Sequence, residues 1–402
     1  MSEESVNRER DLSRESEELL TSAQLQRRVE DVMRIEERAL AEESNRAVAF
    51  RGEIVGNTEE AFETVSERFD ELGYTALLRE GERTEHEIIA MKGKVEEQSE
   101  RPLLNLVLFL ATFVSVLYIG AGYALQDAGI ITGNEGALEL FLKPLRYIYY
   151  GVPFAATLMG ILLAHELSHY FVGRRHGSPL SLPYFIPLPI NIIGTMGAVI
   201  VQKAPMRDRK ALLDIGIAGP LGGLIIAIPL LILGLSLSEV GTPPPDVEAV
   251  WQEGNSLLYA GLKYLVFGEV LPSAGRDVWL HPVAFAAWAG LLVTMLNLVP
   301  IGQLDGGHIS YALLGHHAQT LGYVMIGGLI AWGSWLTFFV GNNAGAIWIM
   351  WGLLNLLLNR RHPRPLNDVS PLDAKRVLLG IFMAIVFVVL FMPAPLEEVV
   401  LR

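Results

Sequence analysis

The stretch ILLAHELSHYFVG at residues 161–173 places two histidines and a glutamate at the end of a strongly apolar run. His165 and His169 are four residues apart, so on a helix both imidazoles lie on one face and can reach the same metal ion. Glu166 lies beside them and could act as a general base on a water molecule. Ionisable groups inside apolar spans are costly and are usually functional. The alternative interpretation is a pair of structural histidines packed between helices.

A catalytic metal site of this kind needs a third protein ligand and one open position. Asp305 is the outstanding candidate, because it follows an apolar span within the sequence NLVPIGQLDGG at residues 297–307. Pro300 interrupts a helix there, and the two glycines after Asp305 loosen the chain. Two alternatives remain: His308 as the third ligand, and Asp305 as an ordinary polar residue at a helix end.

The composition separates an acidic arm from an apolar body. The 402 residues are 51% hydrophobic with a mean hydropathy of +0.36, which is too apolar for an ordinary soluble enzyme. Residues 1–100 hold 27 acidic and 14 basic residues, so they carry the whole net charge of −13. An acidic arm gives no indication of nucleic-acid binding. The absence of cysteine excludes disulfides and thiolate metal sites.

Uncharged stretches predict an α-helical polytopic membrane protein with six to seven transmembrane helices. Basic loops at 174–210 and 360–376 share one side, and the loop at 238–281 is acidic, so the positive-inside rule puts the N-terminus in the cytoplasm. Glu166 and Asp305 then lie near the cytoplasmic ends of their helices. Spans are predicted at 103–125, 147–172, 215–237, 283–304 and 377–392, with two more in the uncharged stretch after Asp305 that turn at 341–345.

One apolar segment, residues 182–202, does not fit a helix because it contains three prolines and two glycines. Non-helical backbone at membrane depth is tolerated only where it is buried in protein or lines a cavity. We therefore expect a re-entrant or membrane-inserted strand segment, with extended chain over INIIGTMGAVIV at 190–201.

The pattern outside the spans predicts three further regions. Residues 1–45 are an acidic lead-in, helical or disordered, and residues 46–99 form a small α+β cytoplasmic domain with β-α-β-β order, in which Asn57 caps the helix. That domain is either a substrate-docking unit or a solubilising appendage. The membrane domain covers 100–393, and 394–402 is a short tail. The polar N-terminus resembles neither a signal nor a transit peptide, which favours a prokaryotic cell membrane.

HELSH in one span and NLVPIGQLDGG in a later one together resemble the site-2 protease family of intramembrane zinc metalloproteases. The family pattern is HExxH plus NxxPxxxLDG, and every fixed position is met between residues 100 and 390. The resemblance implies one Zn²⁺ per chain, held by His165, His169 and Asp305. It also implies that Glu166 is the catalytic acid/base and that Asn297 holds the substrate or stabilises the oxyanion.

The segment Gly194, Thr195, Met196, Gly197 and Ala198 resembles the membrane-inserted strand of the same family. An exposed strand edge offers backbone partners to an unwound substrate, so these five residues are candidates for substrate binding. The alternative is a structural loop that covers the metal. The glycines of GPLGG at 219–223 permit close helix packing. The layout resembles the branch with an N-terminal soluble domain and no PDZ or CBS module.

The resemblance implies an intramembrane endopeptidase that cuts a single-span transmembrane protein near the cytoplasmic face, as in regulated intramembrane proteolysis. Its surroundings are the lipid bilayer, and its oligomeric state is open. Two alternatives are a polytopic transporter or channel in which Glu166 relays ions, and an inactive relative that binds helices without cutting them. The first lacks the inverted repeats that such folds often show, and the intact Glu166 argues against the second.

Overall fold

A computed structural model describes residues 20–40, 47–81, 85–93, 100–131, 136–243, 249–358 and 362–400. The chain divides into two compact units. The first unit, called the α+β unit, combines the described part of residues 1–98 with the short segments 204–209 and 363–372. The second unit, called the helical unit, contains the remaining described residues.

The α+β unit is a four-stranded antiparallel sheet with a helix at 58–70 and a helical segment at 20–27, whose Leu25 lies in the same core. Asn57 starts the helix, because its side-chain oxygen accepts a hydrogen bond from Glu59 N at 2.8 Å. One helix face, with Phe62, Val65 and Phe69, is buried in the core. The strands, in the order β1-β2-β4-β3, are β1 Met33–Leu40, β2 Ala47–Ile54, β3 Tyr74–Glu80 and β4 His86–Lys92, and the helix is α1 Thr58–Asp70.

The predicted β-α-β-β order is present, and strand β1 is an addition to it. β1 lies within residues 1–45, where we expected a helical or disordered lead-in, so that expectation is wrong for residues 33–40. The strand forms because β2 offers it a free edge, and the two pair from Met33–Ile54 to Leu40–Val48. Its sequence MRIEERAL alternates weakly and carries four charges, which hides the strand pattern.

At the other edge of the sheet, β3 forms backbone hydrogen bonds with a segment that is distant in the sequence. Leu78 N donates to Leu366 O at 2.8 Å, and Asp368 N donates back to Leu78 O at 3.1 Å. The segment 204–209 continues the same pattern, since Leu366 N donates to Met206 O at 2.8 Å. Both short segments therefore join the edge of this sheet through isolated bridges, Leu78 with Asn367 and Asp208 with Asn367.

The helical unit contains ten α-helices among the described residues. Four helical stretches are long and apolar enough to cross a membrane: Pro102–Asp127, Ile148–Arg175, Arg209–Ser236 and His317–Val340. The helices are α2 Pro102–Asp127, α3 Ala137–Arg146, α4 Val152–Arg175, α5 Arg209–Ser236, α6 Leu257–Phe267, α7 Pro282–Leu298, α8 Asp305–Leu314, α9 His317–Trp335, α10 Gly345–Leu358 and α11 Ala374–Leu390.

The predicted single span at 283–304 is wrong after Leu298. Helix α7 has 17 residues and ends at Leu298, and Asp305 begins a separate helix, α8. The cause is Pro300, which lacks a backbone N–H and disfavours helical geometry in the residue before it. Asp305 therefore lies in the first turn of α8, where a carboxylate is favoured by the helix dipole.

Residues 182–202 form a hairpin of two short strands, β5 Tyr184–Pro187 and β6 Thr195–Val199. Helix α2 holds this hairpin through side chains, since the Ser115 hydroxyl donates to Gly194 O at 2.6 Å and the Tyr123 hydroxyl donates to Ile192 O at 2.7 Å. Two more strand pairs complete the helical unit: β7 Glu239–Gly241 with β9 Asp277–Trp279, and β8 Ala249–Glu253 with β10 Leu396–Val400.

A buried ion cluster joins β8, β9 and α6. The Lys263 ammonium is fully buried, 3.6 Å from Glu253 Oε1 and 3.5 Å from Asp277 Oδ1. The Tyr259 hydroxyl donates to Glu253 at 2.8 Å, and its ring lies 4.8 Å from the ammonium. A buried charge is tolerated only where opposite charges and polar groups surround it, so the cluster defines how these elements pack.

Candidate metal centre

The HELSH motif lies in the second half of α4, a 24-residue helix with its apolar side chains packed inside the unit. His165, Glu166 and His169 are 3%, 6% and 8% exposed, so all three are removed from solvent. Because a helix turns every 3.6 residues, the two imidazoles lie on one face, edge to face at 68°, with ring centroids 4.9 Å apart. The helix alone thus brings two nitrogen ligands together.

Helix α5 makes room for these rings through the glycines of GPLGG. A Cβ atom on Gly219 would lie 2.0 Å from His169 Nε2, and one on Gly222 would lie 2.0 Å from the Ser168 hydroxyl. Only glycine allows the α5 backbone to approach the histidine face of α4 so closely. The sequence indicated that the GPLGG motif serves close helix packing, and in the structure this motif packs directly against the histidines of the candidate site.

Asp305 follows a tight turn between α7 and α8. Gly306 fits against the end of α7, because a Cβ there would lie 2.0 Å from Leu298 O. A Cβ on Gly307 would lie 2.3 Å from Gly302 O. The two glycines after the aspartate are thus required for the chain to fold back at Pro300 and present the carboxylate.

Three side chains converge at one point. His165 Nε2 lies 3.1 Å from Asp305 Oδ2, His169 Nε2 lies 3.2 Å from Asp305 Oδ1, and the two Nε2 atoms are 3.2 Å apart. A tetrahedral zinc with ligand bonds of 2.0–2.1 Å would separate its ligand atoms by about 3.3–3.4 Å. The Nε2–Nε2 distance is close to this separation, and each imidazole has one Asp305 oxygen at a similar distance, His165 facing Oδ2 and His169 facing Oδ1.

The group also has the donor chemistry and the charge of a metal site. Two imidazoles plus one carboxylate is a common ligand set of catalytic zinc, which leaves one position open. With neutral imidazoles, the carboxylates of Asp305 and Glu166 carry two negative charges in a buried place, and a divalent cation would balance them. His165, His169 and Asp305 form a group with metal-ligand spacing, within 4.8 Å of one another.

A backbone carbonyl orients one of the rings. His169 Nδ1 lies 2.7 Å from Ile215 O on α5, so this nitrogen carries the proton and Nε2 is left free as an acceptor. The sequence offered no signal for this contact, because any residue at position 215 supplies the same carbonyl. The GPLGG motif four residues later was the only local indication that α5 approaches α4.

Asn297 and His308 are not members of the three-residue group. Asn297 lies half-buried in the last turn of α7. His308, the alternative ligand, lies one turn after Asp305 on α8, and its Nδ1 is 2.7 Å from His362 Nε2. Asp305 is therefore the third member of the group, and the His308 ring contacts His362 instead.

The five predicted substrate-binding residues lie at the start of the β5–β6 hairpin's second strand. β6 packs against α4, the helix that carries both histidines. Its partner is β5 on one side, and the sheet ends at β6 among the described residues. Thr195 is buried and Met196 is 66% exposed, so alternate side chains face opposite ways.

Residues 153–332 match peptidase family M50. The chain is 32% identical over 306 residues to "Probable zinc metalloprotease EGY1, chloroplastic" of Arabidopsis thaliana, which covers 72% of this chain and 52% of the relative. It is 27% identical over 375 residues to the protein of the same name from Oryza sativa subsp. japonica, covering 84% and 62%. No solved structure matches the chain.

A further relative is "Probable zinc metalloprotease EGY2, chloroplastic" of Arabidopsis thaliana, 31% identical over 253 residues, which covers 61% of this chain and 42% of the relative. The chain thus spans roughly half the length of these relatives, between 42% and 62%. The family match includes α4 with its histidines and the α8 aspartate.

Proposed function

The chain carries a peptidase family M50 domain in residues 153–332, and from this premise we propose that it is an intramembrane zinc endopeptidase. In this proposal it cuts transmembrane segments of other membrane proteins near the cytoplasmic face. The observation that carries the proposal is the convergence of His165, His169 and Asp305 beside Glu166. The names of the similar plant proteins support zinc as the metal.

In the proposed mechanism each side chain has one role. His165, His169 and Asp305 hold the ion, which when bound supplies a Lewis acid that polarises the scissile carbonyl and acidifies a water. Glu166 accepts the proton of the attacking water and then delivers a proton to the leaving amine. Burial of Glu166 in α4 keeps this carboxylate close to the ligands and away from bulk solvent. Asn297 would donate its amide N–H to the developing oxyanion or to the substrate.

The substrate must be unwound before it is cut, because a transmembrane helix satisfies its own peptide groups. We propose that residues 194–198 bind the unwound segment by strand addition at the free edge of β6. The left-handed backbone at Gly194 and Gly197, with φ of +79° and +95°, shapes this edge, and exposed Met196 would contact the substrate side chains.

The arrangement in the membrane is proposed from helix length and charge. Besides the four long stretches, α7, α10 and α11 have 17, 14 and 17 residues, or about 21–26 Å each. Counting them gives seven crossings, and without α10 the count is six. The hairpin of β5 and β6 would then be a membrane-inserted strand segment. In this proposal the protein is a multi-pass protein of the cell membrane with its N-terminus in the cytoplasm, which the positive-inside rule supports through the basic loops.

The proposed substrate is a single-span membrane protein whose cytoplasmic fragment is released by the cut, which would make the reaction a step of regulated intramembrane proteolysis. An enzyme that hydrolyses peptides inside a membrane needs polar access for water from the cytoplasm. The position of His165, Glu166 and His169 in the second half of α4, eleven residues or fewer before its end at Arg175, suits such access.

The test is cleavage of a single-span model substrate in liposomes that contain the full chain and zinc. Glu166→Gln keeps the shape of the side chain but removes the base, so we expect cleavage to fall by roughly 10²–10⁴-fold while zinc stays bound. Glu239→Gln, at an exposed position in β7, is the matched control and should cleave like the wild type. Equal cleavage by wild type and Glu166→Gln, or none by wild type, would contradict the proposal.

A further inference from the structure

His362 touches helix α8 at two points one turn apart. Its Nε2 lies 2.7 Å from His308 Nδ1, and its ring stacks on Tyr311 with centroids 4.4 Å apart at 15°. His308 itself lies one turn after Asp305 on the same helix. The contact from His362 therefore restrains the first two turns of α8, which is the part that presents the Asp305 carboxylate.

We propose that His362 is a positioning residue of the metal centre. Its hydrogen bond to His308 and its stack on Tyr311 hold α8 so that Asp305 meets His165 and His169. The proposal rests on the proposed function only in requiring that the three-residue group binds zinc or a similar divalent metal.

Two substitutions in the full chain separate the effect of the hydrogen bond on zinc affinity from the effect of ring packing. His362→Phe keeps a ring to stack on Tyr311 but removes the hydrogen bond, whereas His362→Gln keeps a polar group near the position of Nε2. We expect Phe to weaken zinc affinity roughly tenfold, the lower end for an outer partner of a metal site, and Gln to restore most of it. Chelator competition measures the affinity, and the Co²⁺ absorption spectrum reports the ligand geometry.

His317→Phe is the matched control, because His317 is an exposed histidine at the start of α9. It should leave zinc affinity unchanged. Unchanged zinc affinity in His362→Phe would overturn the positioning role. So would an equal loss of zinc affinity in the Phe and Gln variants that parallels a fall in their melting temperatures. If the wild type binds no zinc, or if His165→Ala binds it as well as the wild type, the proposed function fails instead, so the two failures are distinguishable.

Discussion

Gly219→Ala tests the packing that forms the metal centre. The added Cβ would lie 2.0 Å from His169 Nε2 and 2.5 Å from both neighbouring ring carbons. Since non-bonded atoms of this kind separate by about 3.4 Å or more, the imidazole would have to move by about 1.4 Å. The Ile215 carbonyl resists that movement, because it holds His169 Nδ1 at 2.7 Å. A metal site tolerates errors of only ~0.2 Å in its ligand distances, so the substitution should displace a ligand.

The expected loss of zinc affinity is at least ~100-fold, the upper end for damage to an outer partner, or ~2.8 kcal/mol of binding free energy. Alanine in place of glycine stabilises a helix by up to ~1 kcal/mol, so the metal-free protein should not unfold more easily. Chelator competition on the purified full chain measures the affinity, and thermal unfolding of the metal-free sample checks the fold.

Two further glycine-to-alanine substitutions serve as comparisons for the zinc affinity of Gly219→Ala. Gly160→Ala, on α4, should bind zinc normally, because nothing lies within 4 Å of its added Cβ. Gly223→Ala should lose a few-fold in affinity, since its Cβ would lie 3.3 Å from His165 Nδ1, a tight but adjustable contact. If Gly219→Ala binds zinc as tightly as Gly160→Ala, α5 does not approach His169 as described, and the account of the GPLGG motif is wrong.

Two other predictions concern the buried ion cluster. Burial raises the pKa of Glu253 to about 7, above its ordinary 4.5, although nearby Lys263 opposes the shift. The folded state then binds this proton more tightly than the unfolded state, so the stability of the fold should fall as pH rises from about 4.5 to 7. Glu253→Gln should flatten the melting temperature over this pH range. An identical pH profile in wild type and variant would argue against the raised pKa. Lys263→Met leaves two carboxylates without their cation and should cost about 3–5 kcal/mol, measured as a lower melting temperature; an unchanged value would exclude a stabilising role.

The ligand group was predictable from the sequence because its geometry is mostly local. Four-residue spacing on a helix is enough to bring His165 and His169 together. The LDGG sequence indicated Asp305 by its position after an apolar span, and the structure brings its carboxylate to the two rings. The helix boundary was harder, since hydropathy continues through Pro300 to Leu304 and masks the end of α7 at Leu298.

Other parts of the fold depend on contacts that leave no local pattern. β1 is a charged edge strand, and Asn367 forms an isolated bridge with β3 only because β3 offers a free edge. The same holds for β10, which lies in the predicted short tail 394–402 and pairs with β8. Short strands of this kind are formed by partners distant in the sequence, so periodicity alone does not reveal them.

The central claim is that two motifs about 140 residues apart in the sequence, joined by the His165–Asp305 contact, form one zinc site. The most direct measurement is the zinc content per chain of the purified wild type and of Asp305→Ala, with Asp127→Ala, at the end of α2, as a matched control. We predict one zinc per chain in the wild type and the control, and a clear loss in Asp305→Ala. Full zinc occupancy in Asp305→Ala would contradict the account, because the two histidines alone would then be sufficient to hold the metal.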